Sequence, residues 1–151
     1  MCLIMVQSYL ARRPKVGEEG EYVPQTVEEA SSECAELLDI FELYKINVIR
    51  LGLHAEESLE ENLLAGPYHP AFREICESVR FRKKIAPMLS RLPKGSYVLK
   101  VAPSDVSKCS GQKKCNVEHW LSLGYAIKVV PDNNLNPGDF EVMMANIMPS
   151  P

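Results

Sequence analysis

The hydrophobic positions in the first third of the chain predict a strand and then a helix. Residues 2–6 form a short apolar run that is typical of a buried strand, and the polar stretch 8–22 predicts a loop. Thr26 and Glu29 then have the spacing of a capping box, which marks the start of a helix ending near Lys45. Its apolar positions recur every three or four residues and form one stripe: Val27, Ala30, Cys34, Leu37, Leu38, Phe41 and Tyr44.

Residues 47–54 predict a second strand, because side chains along a strand point alternately to its two faces. One face carries a cation, a gap and an imidazole, from Arg50, Gly52 and His54. Such a face is typical of a strand whose end contributes to a site. The alternative is an edge strand with a solvated arginine. A strand, helix, strand order favours a parallel pair, whose carboxyl ends are where ligands collect.

Residues 69–92 predict helix, because Pro70 suits the first helical position. Pro87 predicts a break, so we expect two helical pieces. Residues 93–95, Pro-Lys-Gly, form the clearest boundary in the chain. The expected buried side of the helix is Phe72, Ile75, Cys76 and Val79.

Beyond this boundary the pattern predicts a strand, a short helix, a glycine loop, a second helix and two further strands. The second helix should end at Gly124. The expected ranges are 97–101, 103–109, 111–114, 116–123, 126–130 and 140–147.

The net charge of -3 conceals an asymmetry along the chain. Residues 1–72 carry a net charge of -8, residues 73–128 carry +8 and residues 129–151 carry -3. A basic block in an acidic chain indicates a surface for phosphate or for an acidic neighbour. The alternative is that the two parts attract one another. The densest basic run includes Arg82, Lys83 and Lys84.

The five cysteines form an odd set without a close pair, which argues against a disulfide framework. Cys109, Cys115 and His119 suggest a metal, but their spacing matches no common zinc pattern. No apolar run approaches the roughly 20 residues of a membrane helix. The N-terminus lacks the features of a secretory signal. We therefore expect a cytoplasmic protein with no membrane contact.

The order strand, helix, glycine loop, helix, strand resembles the core of a KH domain, where a GXXG loop clamps a nucleic-acid backbone. One residue departs from that pattern, because Lys114 stands where the second glycine belongs. The resemblance implies RNA contact through the loop and the basic run 82–84. The alternative is a small α+β cap with solvated lysines. The loop residues are Gly111, Gln112, Lys113 and Lys114.

A second resemblance is more specific and spans most of the chain. Residues 47–54, NVIRLGLH, followed by residues 64–72, LAGPYHPAF, resemble the C-terminal part of Elongator-like radical S-adenosylmethionine (SAM) proteins. Bacterial members of that family are often labelled oxygen-independent coproporphyrinogen oxidase-like. Residues 21–30 and 111–116 resemble further segments of the same family.

This family resemblance implies a barrel with a [4Fe-4S] cluster on a CxxxCxxC loop, where S-adenosylmethionine is cleaved. No two cysteines of this chain have that spacing, so we expect no cofactor here and no radical chemistry from this chain alone. The cluster and S-adenosylmethionine belong to the complete protein. No catalytic residue is assigned. The residues expected at the lumen or its rim are Arg50, Gly52, His54, Tyr68 and His69.

We therefore expect an α/β chain in three parts. Residues 1–54 would be the terminal strand-helix-strand of a TIM-like partial barrel, because a whole barrel takes about 200 residues or more. The larger part of the barrel would lie upstream. Residues 55–94 would be a helical connector, and residues 95–151 a small α+β, KH-like domain.

Three functions fit these expectations. The first is the C-terminal portion of a radical SAM protein, helping to bind a substrate such as tRNA. The second is a free-standing KH-like RNA-binding module without catalysis. The third is a structural fragment that self-associates through an exposed barrel edge.

Overall fold

The computed structural model of the chain describes residues 25–52 and 67–145. The chain divides into two compact units, Met1–Cys76 and Glu77–Pro151. The described residues form helices and one three-stranded sheet, so the chain is of mixed α/β type. Among these residues, no helix combines the length and apolarity needed to cross a bilayer.

Helix α1, Val27–Leu43, begins where the capping box predicted. The Thr26 hydroxyl accepts the Glu29 N–H at 3.1 Å, and the Glu29 carboxylate accepts the Thr26 N–H at 2.9 Å. The hydrogen bond from that N–H, helped by the Thr26 hydroxyl, lowers the pKa of Glu29. The predicted stripe is correct except at Tyr44, which lies beyond the last turn and is exposed. Its buried members are Ala30, Cys34 and Leu38.

The segment after α1 is where the sequence-based prediction was wrong. Residues 47–52 belong to no strand, and the predicted alternation fails because Val48 and Leu51 are buried while Ile49 is 49% exposed. The Arg73 guanidinium holds this segment by donating to the carbonyl oxygens of Val48 and Ile49, each at 3.2 Å. A strand needs a ladder partner, and the predicted partner at residues 2–6 lies outside the described residues.

The core of the first unit is small and is built around α1. Cys34 and Cys76 are fully buried and hydrogen-bonded to each other, and this bond lowers the pKa of the Cys34 thiol. Val48 and Phe72 lie in the same cluster, with Leu51. The apolar side chains of α1, of residues 48–51 and of residues 72–76 therefore bury one another in this unit.

Helix α2, Phe72–Leu89, is a single helix rather than the two pieces predicted. Pro87 lies in its last turn, where the missing N–H removes one hydrogen bond and the chain is about to leave the helix anyway. The Ser90 hydroxyl donates to the Pro87 carbonyl at 2.8 Å, next to the end of the helix. Three of the four predicted buried positions, Phe72, Cys76 and Val79, are buried.

The second unit contains a three-stranded sheet with the strand order β2-β1-β3. Its strands are β1, Gly95–Val101, β2, Tyr125–Pro131, and β3, Phe140–Met144. Strands β1 and β2 are parallel, with Gly95 opposite Tyr125, and β3 is antiparallel to β1, with Val101 opposite Phe140. Alternate residues of β1 are buried, namely Tyr97, Leu99 and Val101.

The parallel pair needs a crossover, and two short helices provide it. They are α3, Val106–Ser110, after the 3-10 turn Pro103–Asp105, and α4, Cys115–Ser122, after the 3-10 turn Gln112–Lys114. The predicted order of strand, helix, glycine loop, helix, strand and strand is therefore confirmed for residues 95–145. Whether this arrangement is that of a KH domain stays a prediction.

The core of the second unit also includes the part of α2 that belongs to it. Phe81, Ile85 and Leu89 pack in one cluster with Trp120 and the buried face of β1. This part of α2, which lies within the predicted helical connector, therefore packs against the sheet.

Candidate nucleic-acid interface

The glycine loop between α3 and α4 is tightly built. Gly111 has a φ of +78°, which an L side chain rarely adopts. An added Cβ would lie 2.6 Å from both the Ser78 Oγ and the Cys115 Sγ. The Gly111 N–H donates to the Ser107 carbonyl at 2.9 Å, closing the end of α3. Backbone conformation and lack of space both require glycine here.

The two lysines of the loop have an unusual backbone. Lys113 has φ 51° and ψ 29°, and Lys114 has φ 63° and ψ 24°, so both are left-handed. Both side chains are exposed. A glycine would adopt this backbone without strain, whereas residues with a Cβ adopt it much less often.

Asn116, just after the loop, is hydrogen-bonded to two neighbouring helices. It is fully buried, and its Nδ2 donates to the Ser78 carbonyl at 2.8 Å and to the Cys109 carbonyl at 3.0 Å. Both amide hydrogens are thereby used, and α2, the end of α3 and the start of α4 are joined at one point. Ser78 also contacts Cys115, with 3.7 Å between Oγ and Sγ. Sequence analysis missed Ser78, since nothing in a helical stripe marks a serine as a loop support.

The side chains of the basic run of α2 lie in different surroundings. Successive helical residues point about 100° apart. The Lys84 ammonium donates to the Gly138 carbonyl and lies 5.9 Å from the centre of the Phe140 ring. Arg82 lies on the side of α2 that lines a groove with His119 of α4. Lys83 is half-buried.

The predicted rim residues lie in the first unit, and His54 falls outside the described residues. Arg50 and Tyr68 are half-buried, and Gly52 is buried with φ 89°. The His69 Nδ1 accepts the Ala71 N–H at 3.0 Å, so this histidine caps the start of α2. Sequence analysis missed Arg73, a cation that holds residues 48 and 49 in place. Its partners are backbone carbonyls, which no side-chain pattern reveals.

The described cysteines do not fit an iron–sulfur cluster. Cys34 and Cys76, both free thiols, are hydrogen-bonded to each other in the first unit. In the second unit Cys109 is buried, which raises the pKa of its thiol to about 12, while Cys115 is exposed. Within the described ranges, no group of three or more histidine, cysteine, aspartate or glutamate residues is placed to hold a metal ion.

The loop therefore offers two exposed cations on a left-handed backbone beside the buried Asn116. Comparisons of the chain with protein-family models, with curated proteins and with solved structures gave no match.

Proposed function

We propose that the second unit binds the backbone of single-stranded RNA through the loop formed by Gly111, Gln112, Lys113 and Lys114. The observation that carries the proposal is the left-handed backbone at two adjacent exposed lysines. Backbone strain of this kind persists where the surroundings fix it, and it clusters at functional sites.

The loop has the chemistry that phosphate recognition requires. Two ammonium groups stand beside the start of α4, whose first backbone N–H groups have no partner within the helix. Lysine acts on phosphate as a flexible point charge and does not read a base. Contact by this loop should therefore depend on charge rather than on sequence.

Salt dependence of RNA binding tests the proposal. We expect the affinity for a fluorescently labelled single-stranded RNA to fall steeply between about 50 and 200 mM salt. In a plot of the logarithm of the binding constant against the logarithm of the salt concentration, each phosphate contact should contribute about 0.7 to the negative slope. Replacing Lys113→Gln and Lys114→Gln together should reduce that slope by about 1.4. Fluorescence anisotropy measures both quantities.

A matched control removes two exposed cations elsewhere, Arg91→Gln with Lys128→Gln, and so changes net charge equally. That variant should lower affinity only slightly. An equal loss of affinity in both double variants would show that the loop is not the RNA contact. A salt slope near zero for the parent chain would contradict RNA binding through phosphate contacts.

We also propose that the chain is the C-terminal, substrate-binding portion of an Elongator-like radical SAM protein, with tRNA as the substrate class. A separate observation favours it, namely large exposed apolar side chains at the end of α1 and just beyond. Such patches mark interaction surfaces. The exposed residues are Ile40, Leu43, Tyr44, Ile46 and Ile49.

The sequence preceding residue 1 in the genome tests this second proposal. An open reading frame that continues upstream with a CxxxCxxC motif about one barrel length earlier is the expected result. A long upstream frame without that motif contradicts it and leaves the RNA-binding module without catalysis. In the complete protein, the cluster and S-adenosylmethionine would supply the radical chemistry.

A further inference from the structure

A groove with a volume of about 330 Å³ opens in the second unit, lined by residues of both α2 and α4. This volume lies at the lower end of small-molecule sites, which begin at about 300 Å³. The apolar part of its lining includes Leu89, Trp120 and Tyr125, all buried, and Leu123 at its edge. Such a lining suits a short apolar ligand.

The charged side chains of the lining are cations, and the lining also includes a histidine. Arg82, Lys94 and His119 line the groove, and none of its described lining residues is acidic. Arg82 forms no ion pair with a described residue, so its guanidinium is available to an anion. A carboxylate is the anion that matches the planar fork of an arginine with two parallel hydrogen bonds.

Lys94 is held at the groove by a built arrangement. Its ammonium donates to the Leu123 carbonyl and lies 5.3 Å from the centre of the Tyr125 ring. Gly124 leaves the space for this, because an added Cβ would lie 2.6 Å from the Lys94 Cδ. The cation therefore occupies a defined position beside the apolar lining.

Trp120 supplies an independent indication of a ligand. The side chain is 1% exposed and lines the groove, yet its Nε1 has no acceptor among the described residues. Buried donors nearly always have a partner, so an unpaired indole N–H needs an explanation. The Nε1 atom is itself buried in this structure, so an acceptor oxygen of a bound molecule would reach it only with a small movement of the side chains that line the groove.

We propose that this groove binds a small carboxylate with an apolar body, such as a short-chain aliphatic acid. The apolar part lies against Leu89 and Leu123, and the carboxylate pairs with Arg82 and accepts the indole N–H of Trp120. This site is separate from the RNA loop, and its occupation does not depend on RNA binding.

The single tryptophan of the chain makes the test direct. The full chain is titrated with octanoate and, as a neutral control of equal length, with 1-octanol, while the fluorescence of Trp120 is followed. Octanoate should bind about tenfold more tightly than octanol, because only the anion gains the charge-assisted bond. In a ¹⁵N-labelled sample, the single indole N–H signal should shift downfield with saturating octanoate.

Substitutions locate the contact. Arg82→Gln should weaken octanoate binding about tenfold and leave octanol binding unchanged, whereas Lys128→Gln, on the exposed face of β2, should change neither. Arg82→Lys keeps the charge and should retain part of the affinity if Arg82→Gln proves poorly folded by circular dichroism. Equal binding of octanoate and octanol, an unmoved indole signal or unchanged octanoate affinity in Arg82→Gln would each overturn the proposal.

Discussion

Lys113 and Lys114 occupy backbone positions where glycine or asparagine would have a lower conformational free energy. A left-handed backbone costs a residue with a side chain roughly 1–2 kcal/mol. Both lysines adopt it, and neither side chain is buried, so packing does not offset the cost. Two adjacent ammonium groups, unlike the single left-handed Lys45 that follows α1, are suited to a polyanion.

Lys114→Gly should therefore separate stability from binding. Because glycine adopts φ 63° without strain, the free energy of unfolding should rise by about 1 kcal/mol. RNA affinity should fall, since one phosphate contact is lost. Urea unfolding and fluorescence anisotropy measure the two effects on the same protein.

The matched control is Lys128→Gly in β2, where glycine should lower stability because it weakens a strand. If Lys114→Gly instead lowered the free energy of unfolding, the Lys114 side chain would have a structural role. The left-handed backbone at Lys114 would then no longer indicate RNA binding.

Among the elements, local patterns predicted α1 and the order of the second unit. A capping box, an apolar stripe and glycine punctuation act within a few residues, and the structure follows them at Thr26, Gly111 and Gly124. The strand predicted at 47–54 is not formed by its described residues, 47–52, and strand formation depends on a partner elsewhere in the chain, which the local pattern does not supply. Its described part is held instead by Arg73, through backbone carbonyls that a sequence pattern does not show.

The basic run of α2 shows a second limit of sequence reasoning. Arg82 and Lys84 are two positions apart, which on a helix places them on different sides. One therefore lines the groove and the other contacts the turn before β3. Likewise, the apolar positions of α2 were recognised, but which sheet they would cover was a matter of tertiary packing.

Asp105 joins α3 to the turn before β3, and its charge makes this link sensitive to pH. Its carboxylate, 1% exposed, accepts the Lys108 ammonium at 2.8 Å and the Gly138 N–H at 2.6 Å. Burial raises the pKa of Asp105, but these two hydrogen bonds, the charge of Lys108 and a hydrogen bond from Ser104 together lower it further than burial raises it. The pKa in the folded state is therefore below the unfolded value of about 3.9.

The stabilisation from Asp105 should be complete above the unfolded pKa and lost as the pH falls through the folded one. We expect Asp105→Asn to lower the free energy of unfolding by about 2 kcal/mol at pH 7. The variant should also lose less stability than the parent between pH 5 and pH 2. Urea unfolding across that range gives both values, and parallel pH curves would contradict the assignment.

At the scale of the whole molecule, charge and apolar exposure are unevenly distributed. The basic residues concentrate between 73 and 128, the segment that contains the loop and the groove. The exposed apolar side chains of the first unit include Leu43 at 77% and Tyr44 at 70%. Side chains of this size and exposure are unfavourable in water unless another surface covers them.

The chain by itself should therefore self-associate through this apolar surface. We expect light scattering to show oligomers at micromolar concentration, and Leu43→Glu with Tyr44→Glu to give a monomer, because two charges at these positions oppose contact between copies. Two acids at exposed polar positions of the second unit, Ser107→Glu with Asn133→Glu, change the net charge equally and should leave the oligomers intact. A parent chain that stays monomeric would show that these apolar side chains do not need a partner surface. That result would also contradict the proposal that a larger protein normally packs against this unit.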